Sequence, residues 1–172
     1  MSKVAVLLAP YFEDVEYEKP VEALKEEGHI ITVISKQQDE ELKGKQGKVT
    51  ATADSSIDNA SPCDFDALLI PGGFSPDQLR ADERYVDFAR HFVYKEKPVL
   101  MICHGPQLLI TAEVLRGRNV TGYKSIQTDL KYAGANVFDE EVVVDRNFVS
   151  SRNPADIPAF IEESKKLLQE KG

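Results

Sequence analysis

A thiol and an imidazole stand side by side at Cys103 and His104, directly after the apolar run 99–102 and directly before Gly105 and Pro106. A strand that enters a tight turn and then a helix lifts a nucleophile clear of a sheet, and Cys103 falls on that turn. Gly105 lets the backbone pack closely behind the turn, and Pro106 suits a first helical turn, where its missing N–H would have had no partner. Taken without its neighbours, a cysteine after a buried strand is as often a small apolar core residue. The His-Gly-Pro that follows argues for chemistry. A thiol with a pKa near 8.5 is about 3% ionised at neutral pH and one near 6 is about 90% ionised, a difference of roughly 3.4 kcal/mol. A helix dipole supplies at most about 2 kcal/mol, so further N–H donors or His104 must supply the rest.

Two other stretches follow apolar runs in the same way: Pro71-Gly72-Gly73 after 67–70, and Tyr11-Phe12-Glu13-Asp14 after 4–9. The Gly73 N–H, with no Cβ in the way, is a candidate oxyanion donor together with that of His104, each such donor being worth a factor of about 10² to 10³. A plain Gly-Gly turn is the alternative. A carboxylate beside a thiolate raises the thiol pKa if both are charged, so Glu13 is expected to keep a proton, donate it in a hydrogen bond to the thiolate, and then act as acid or base. A solvated residue in an acidic loop is the alternative for Glu13. The remaining histidines, His29 and His91, precede Cys103 and read as surface residues. A glutamine amidotransferase of this topology needs a distal histidine downstream of its cysteine, so that activity is not expected. Cys63, in the acidic stretch SPCDFD, reads as a bystander thiol, and Arg80, Arg84 and Arg90 read as an exposed helix face.

The elements that must bring these stretches together are legible as an alternation. Runs 4–9, 67–70 and 99–102 are continuously apolar, as suits parallel strands covered on both faces. Between and after them, helical spacing recurs at Tyr17, Val21 and Leu24, at Tyr85, Phe88, Ala89, Phe92 and Val93, and at Leu108, Leu109, Ala112 and Leu115. Gly28 closes the first helix and 30–34 follows as the second strand. Residues 42–53, with Lys43, Lys45 and Lys48, read as a short hairpin whose lysines guard one edge of the sheet. A closing hairpin is expected around 142–149, and a last helix from Pro154 with Ile157, Phe160, Ile161 and Leu168 turned inward. The expected fold is α/β, a three-layer sandwich with a mostly parallel central sheet and helices on both faces, in one domain across 1–172. In such sheets ligands bind beyond the C-terminal ends of the strands, where all three stretches lie.

Composition fits that picture. With 172 residues the chain buries enough surface to fold without a disulfide or metal staple. Twenty-one Lys plus Arg against 29 Asp plus Glu give a net charge of −8, which opposes nucleic-acid scaffolding and attraction to anionic membranes. The short apolar start of MSKVAVLLAP does not read as a signal peptide, so a cytoplasmic protein with both cysteines as free thiols is expected, with no cofactor or metal.

The stretches YFEDVEYEKPVEALKEEGH, GKQGKVT, FDALLIPGGFSPDQLR, KPVLMICHGPQLLI, LRGRNVTGY, YAGANV, EVVVD and SSRNPADIPAF together resemble the PfpI-type cysteine hydrolases of the class I amidotransferase-like superfamily, close to bacterial general stress proteins. The resemblance covers nearly the whole chain. It implies a flavodoxin-like fold, Cys103 as nucleophile with His104 beside it, Glu13 as the carboxylate near the thiol, and Gly73 with His104 as oxyanion donors. It also implies pocket roles for Glu16 and Tyr123, and for Asp77, which matches a carboxylate that a partner subunit supplies in archaeal members. Asp77 is one methylene shorter than the Glu usual there. Members are described as intracellular proteases, as glyoxalases acting on methylglyoxal, and as deglycases that remove early glycation adducts. One attack by a thiolate on a carbonyl or hemithioacetal carbon serves all three. The resemblance points to small carbonyls or glycated proteins as substrates and to a homodimer or larger ring, with SPDQLR at the contact. A redox-sensing or holdase-like stress protein, its low-pKa thiol readily oxidised, is the non-enzymatic alternative.

Overall fold

Each of the apolar runs becomes a strand buried on both faces. The structure, a computed structural model, describes residues 1–171. In chain order the strands are β1 (Lys3–Leu7), β2 (Ile30–Ser35), β3 (Glu41–Lys43), β4 (Thr50–Thr52), β5 (Ser55–Ser56), β6 (Ala67–Ile70), β7 (Val99–Ile102), β8 (Asn119–Val120), β9 (Asn136–Val137), β10 (Val143–Asp145) and β11 (Phe148–Ser151). The helices are α1 (Asp14–Glu26), α2 (Ser75–Leu79), α3 (Glu83–Tyr94), α4 (Gln107–Thr111), α5 (Gln127–Tyr132) and α6 (Ile157–Lys171). A seven-stranded sheet runs in the order β10-β11-β7-β6-β1-β2-β5, parallel except for the β10–β11 hairpin.

Successive residues of a strand face opposite sides, so each central strand feeds two cores. Ala5, Leu7, Leu68, Ile70 and Met101 pack with Phe88 and Phe92 of α3 and with Leu108 and Leu109 of α4. Val4, Val6, Leu69, Leu100 and Ile102 pack with Val21 and Leu24 of α1 and with Phe160 and Leu168 of α6. The result is the mixed α/β sandwich with a mostly parallel sheet and helices on both faces that the alternation implies. Among the described residues no helix is long and apolar enough to cross a membrane.

Several expectations need correction. The 42–53 hairpin does not edge the main sheet: β3 and β4 pair with each other in a separate antiparallel ladder, and β5 forms the edge. The helix after Cys103 stops at Thr111, with Ala112 and Leu115 buried beyond its end. On α6, Leu167 joins Ile157, Phe160 and Leu168 in the core, and Ile161 packs against them partly buried.

Candidate active site

Strands β7, β6 and β1 are parallel neighbours, so their C-terminal ends open at the same edge and deliver Cys103, Gly72-Gly73 and the 8–13 segment to one place. Cys103 has φ 62°, a left-handed conformation that costs a non-glycine residue on the order of 1–3 kcal/mol. The surrounding backbone enforces it: Cys103 N–H donates to Ser151 O at 2.9 Å, Cys103 O accepts from Tyr123 N–H at 2.8 Å, and Gly105 N–H donates to Ile102 O at 2.9 Å. The thiol lies at the wall of a cleft of about 550 Å³, and only 6% of the residue is exposed.

The carboxyl against this thiol belongs to Glu16 and not to Glu13. Glu16 is fully buried, its Oε1 accepts the Gly72 N–H at 3.0 Å, and its carboxyl and the Cys103 thiol act directly on each other's protonation. Oε2 is buried with no hydrogen-bond partner among the described residues. Gly72 makes the approach possible, since a Cβ there would overlap Glu16 Oε1 and stand 2.8 Å from Cys103 Cβ. Glu13 is turned to the cleft mouth, where its Oε2 pairs with Lys45 Nζ at 3.0 Å.

Burial, and then the Glu13 charge, push the Glu16 pKa up to about 8, so this carboxyl keeps its proton at neutral pH. Burial, and then repulsion from Glu16, push the Cys103 thiol up as well, against backbone N–H groups of His104 and Gly73 that donate toward the sulfur. Burial thus opposes the ionisation expected of a thiol at a helix N-terminus. Helix α4 has only five residues, and two closely spaced buried acids share one low-dielectric site.

His104 reaches the thiol: its Nδ1 lies 3.4 Å from Sγ, and its Nε2 lies 3.5 Å from Ser125 Oγ. Its ring stacks on Tyr123 with centroids 4.9 Å apart and planes at 27°. Burial, and then Lys45, lower the imidazole pKa against the opposing field of Asp77, so the ring is neutral at pH 7, and in the tautomer with its hydrogen on Nε2, facing Ser125, Nδ1 can accept a proton. Asp77 sits exposed in the first turn of α2 and lines the cleft of its own chain, as does Tyr123. Cys63 is exposed on a turn at 62–64, remote in role from this cleft. Lys45, which the sequence placed only at a sheet edge, also lines the site, as do Phe74 and Gln107 of the strand-end stretches, for which the sequence motifs predict no individual role. The available signal was GKQGK, within the matched stretch GKQGKVT, where two glycines bracket Lys45 and Gln46. Among the described residues no cluster of His, Cys, Asp and Glu is arranged to hold a metal ion.

A parallel sheet wrapped by helices, with a thiol on a strained strand–turn–helix bend at its carboxyl edge, defines an elbow-type α/β protein. The chain belongs to the DJ-1/PfpI family, whose model matches residues 2–167. It is similar to General stress protein 18 of Bacillus subtilis (strain 168), with 58% identity over 97% of this chain and 98% of that protein. It is also similar to Protein/nucleic acid deglycase 2 of Escherichia coli (strain K12), with 52% identity over 96% of this chain and 97% of the relative. Among solved structures, a two-domain protein of Anabaena variabilis containing DJ-1/ThiJ/PfpI-like and ferritin-like domains superposes with TM-score 0.95 and 37% identity, covering 98% of this chain and 48% of that one.

Proposed function

We propose that the chain is a stress-related cysteine hydrolase that consumes small dicarbonyls and the early adducts they form with amines. The observation that carries this reading is the grouping of the Cys103 sulfur with the buried Glu16 carboxyl and with His104 Nδ1 at 3.4 Å, all lining one cleft. The thiol passes its proton to Nδ1 as sulfur attacks an aldehyde carbon. The Glu16 proton moves to the carbonyl oxygen, helped by the N–H groups of Gly73 and His104, and a hemithioacetal forms. Glu16, now a carboxylate, removes the C–H proton from the sulfur-bearing carbon, which the adjacent ketone makes acidic. Return of a proton to the neighbouring carbon yields the isomeric thioester, and water hydrolyses it to a 2-hydroxy acid and free thiol. No external oxidant is needed.

Two features of the site favour carbonyls over peptides. A thiol whose pKa is raised is a poor match for an amide, which calls for a standing thiolate and an acid at the leaving nitrogen, whereas aldehydes accept thiols readily. A cleft of about 550 Å³ is in the range of small-molecule sites and has room for an adduct as well as its carbonyl. The name of the Escherichia coli relative supports the same class.

The test is turnover of methylglyoxal, and of its adducts with cysteine and lysine, by wild type and Cys103→Ala, with free methylglyoxal followed separately. Hydroxy-acid formation that falls by about 10³-fold or more in Cys103→Ala is expected. Adduct loss that outruns removal of free aldehyde adds true deglycation to the activity. Failure to form hydroxy acid, or equal turnover by Cys103→Ala, overturns the reading, and peptide cleavage without dicarbonyl turnover replaces it with a peptidase.

A further inference from the structure

The first turn of α1 holds a second buried carboxylate that this chemistry does not use. Asp14 is 1% exposed, and its oxygens accept backbone N–H groups of Gln46 at 2.8 Å, Lys48 at 2.9 Å and Val49 at 2.8 Å, residues more than thirty positions away. All three donors belong to the 44–49 turn that joins β3 to β4. The same turn is sewn to the chain just before α1, where Tyr11 N–H donates to Lys43 O and Lys45 N–H donates to Phe12 O, each at 2.8 Å. It closes on itself through Gly44 N–H to Val49 O at 2.9 Å and Gly47 N–H to Gly44 O at 3.0 Å. Within the turn, Gly44 is buried and Val49 packs partly buried against the core, while Lys45, Gln46, Gly47 and Lys48 are exposed. What this anchoring does is hold Lys45 over the cleft, its ammonium 3.0 Å from Glu13 Oε2 and 5.5 Å from the centre of the Phe74 ring. Lys45 is the only lysine or arginine among the residues described as lining that cleft.

We propose that Asp14 is a positioning residue for the reactive thiol: by clamping the 44–49 turn it places the Lys45 ammonium where its charge favours the anion that forms at Cys103. A cation at the mouth of a partly dry cleft stabilises a developing thiolate more than it would in water. Its field also reaches Glu16 and His104. An ammonium on a four-carbon stem loses that effect if its backbone is free to wander, because solvent then screens it. A buried carboxylate with three N–H donors is a rigid anchor for the purpose, and charge-assisted hydrogen bonds of this kind are the strong ones.

The inference needs Cys103 to be the reacting thiol of the proposed hydrolase but does not depend on the substrate, so it is tested without one. In a Cys63→Ser background, which removes the exposed thiol, iodoacetamide alkylation of Cys103 is timed at pH 7 together with amide hydrogen exchange. Lys45→Gln should slow alkylation by roughly three- to tenfold, with Lys45→Arg restoring most of it. Asp14→Asn should release the amides of Gln46, Lys48 and Val49 to exchange and slow alkylation by a similar or smaller factor. Asp14→Asn combined with Lys45→Gln should be no slower than Lys45→Gln alone, an outcome a purely structural Asp14 would not produce. Unchanged alkylation in Lys45→Gln, freed amides with wild-type alkylation in Asp14→Asn, or effects that multiply in the double variant each overturn the proposal. If Asp14→Asn fails to fold, Gly47→Val serves instead. Gly47 has φ 72° with open space where a Cβ would go, so valine strains the turn without touching Asp14 or the cleft. It too must slow alkylation, and wild-type alkylation there overturns the clamp. A chain that alkylates as expected yet turns over no dicarbonyl keeps this inference and loses the functional reading alone.

Discussion

Glu16→Gln separates a protonated acid from an ionised one by thermodynamics before any substrate is added. The glutamine keeps an acceptor for the Gly72 N–H, now held at 3.0 Å, and removes only the capacity to ionise. In the folded protein the carboxyl keeps its proton up to about pH 8, whereas an unfolded glutamate gives it up near 4.5. A raised pKa in the native state means that the stabilising share of this group is complete below pH 4.5 and is lost as pH climbs to about 8. At about 1.4 kcal/mol per pH unit, the loss across that window is on the order of 5 kcal/mol, an upper bound because a buried site relaxes as it charges. Glutamine has nothing to lose there. Urea unfolding midpoints at pH 5, 7 and 8.5 should therefore show the variant gaining on wild type at each step, while hydroxy-acid formation falls by about 10² to 10⁴-fold because the acid and base is gone. Parallel stability curves for the two proteins across this range would mean that Glu16 is already ionised in the native state, and the proton assignments at Cys103 would fall with it.

The other predictions concern what holds the site. Phe160 of α6 is fully buried in the core face that also contains Ile102, so Phe160→Ala should destabilise by about 3–5 kcal/mol, read as a fall in thermal midpoint of roughly 6–20 °C. Arg118 is a buried cation: Nε donates to Asp145 Oδ2 at 2.8 Å, Nη2 donates to Asn147 Oδ1 at 2.7 Å, and the guanidinium lies 3.5 Å from the centre of the Phe148 ring. Arg118→Met should cost about 3–5 kcal/mol at pH 7 by stranding Asp145. Burial alone would raise the Asp145 pKa, yet the Arg118 and Asn119 donors hold it below the ordinary 3.8. Wild type thus holds this contribution above about pH 4 and loses it on further acidification, so the variant's deficit should shrink in acid unfolding curves.

The layers of the fold were legible because a strand covered on both faces leaves an unbroken apolar run, and a helix on such a sheet leaves a stripe like Tyr85, Phe88 and Phe92. The three stretches that meet at the cleft were legible for a topological reason, since each follows a parallel strand. Lys45 was not, because its position depends on hydrogen bonds that Asp14 accepts from backbone N–H groups more than thirty residues away, which no local pattern reports. The closeness of His104 to the thiol was also hidden. Adjacent side chains on ordinary strand backbone diverge, and the left-handed bend at Cys103 that accompanies the 3.4 Å approach is a property of the turn as built.

The choice between Glu13 and Glu16 turns on depth in the helix. The two are three residues apart, which places them on neighbouring sides of one helical turn, so both can face the same cleft. Glu13 is the N-cap of α1, with extended backbone, and is the outer of the two; Glu16 lies within the first turn, and helical side chains lean back toward the N-terminus. That lean carries Glu16 beneath the PGG segment to the buried thiol, while Glu13 stays where a lysine can meet it. Asp14, between them, is directed at the 44–49 turn. Three carboxyls within four residues thus have three fates: one paired with an ammonium, one anchored by backbone N–H groups, and one left without a cation to pair with and so obliged to keep its proton. A glutamate next to an aromatic at the mouth of a strand end attracts the eye in a sequence, but an acid that must stay neutral at pH 7 belongs where water and cations do not reach.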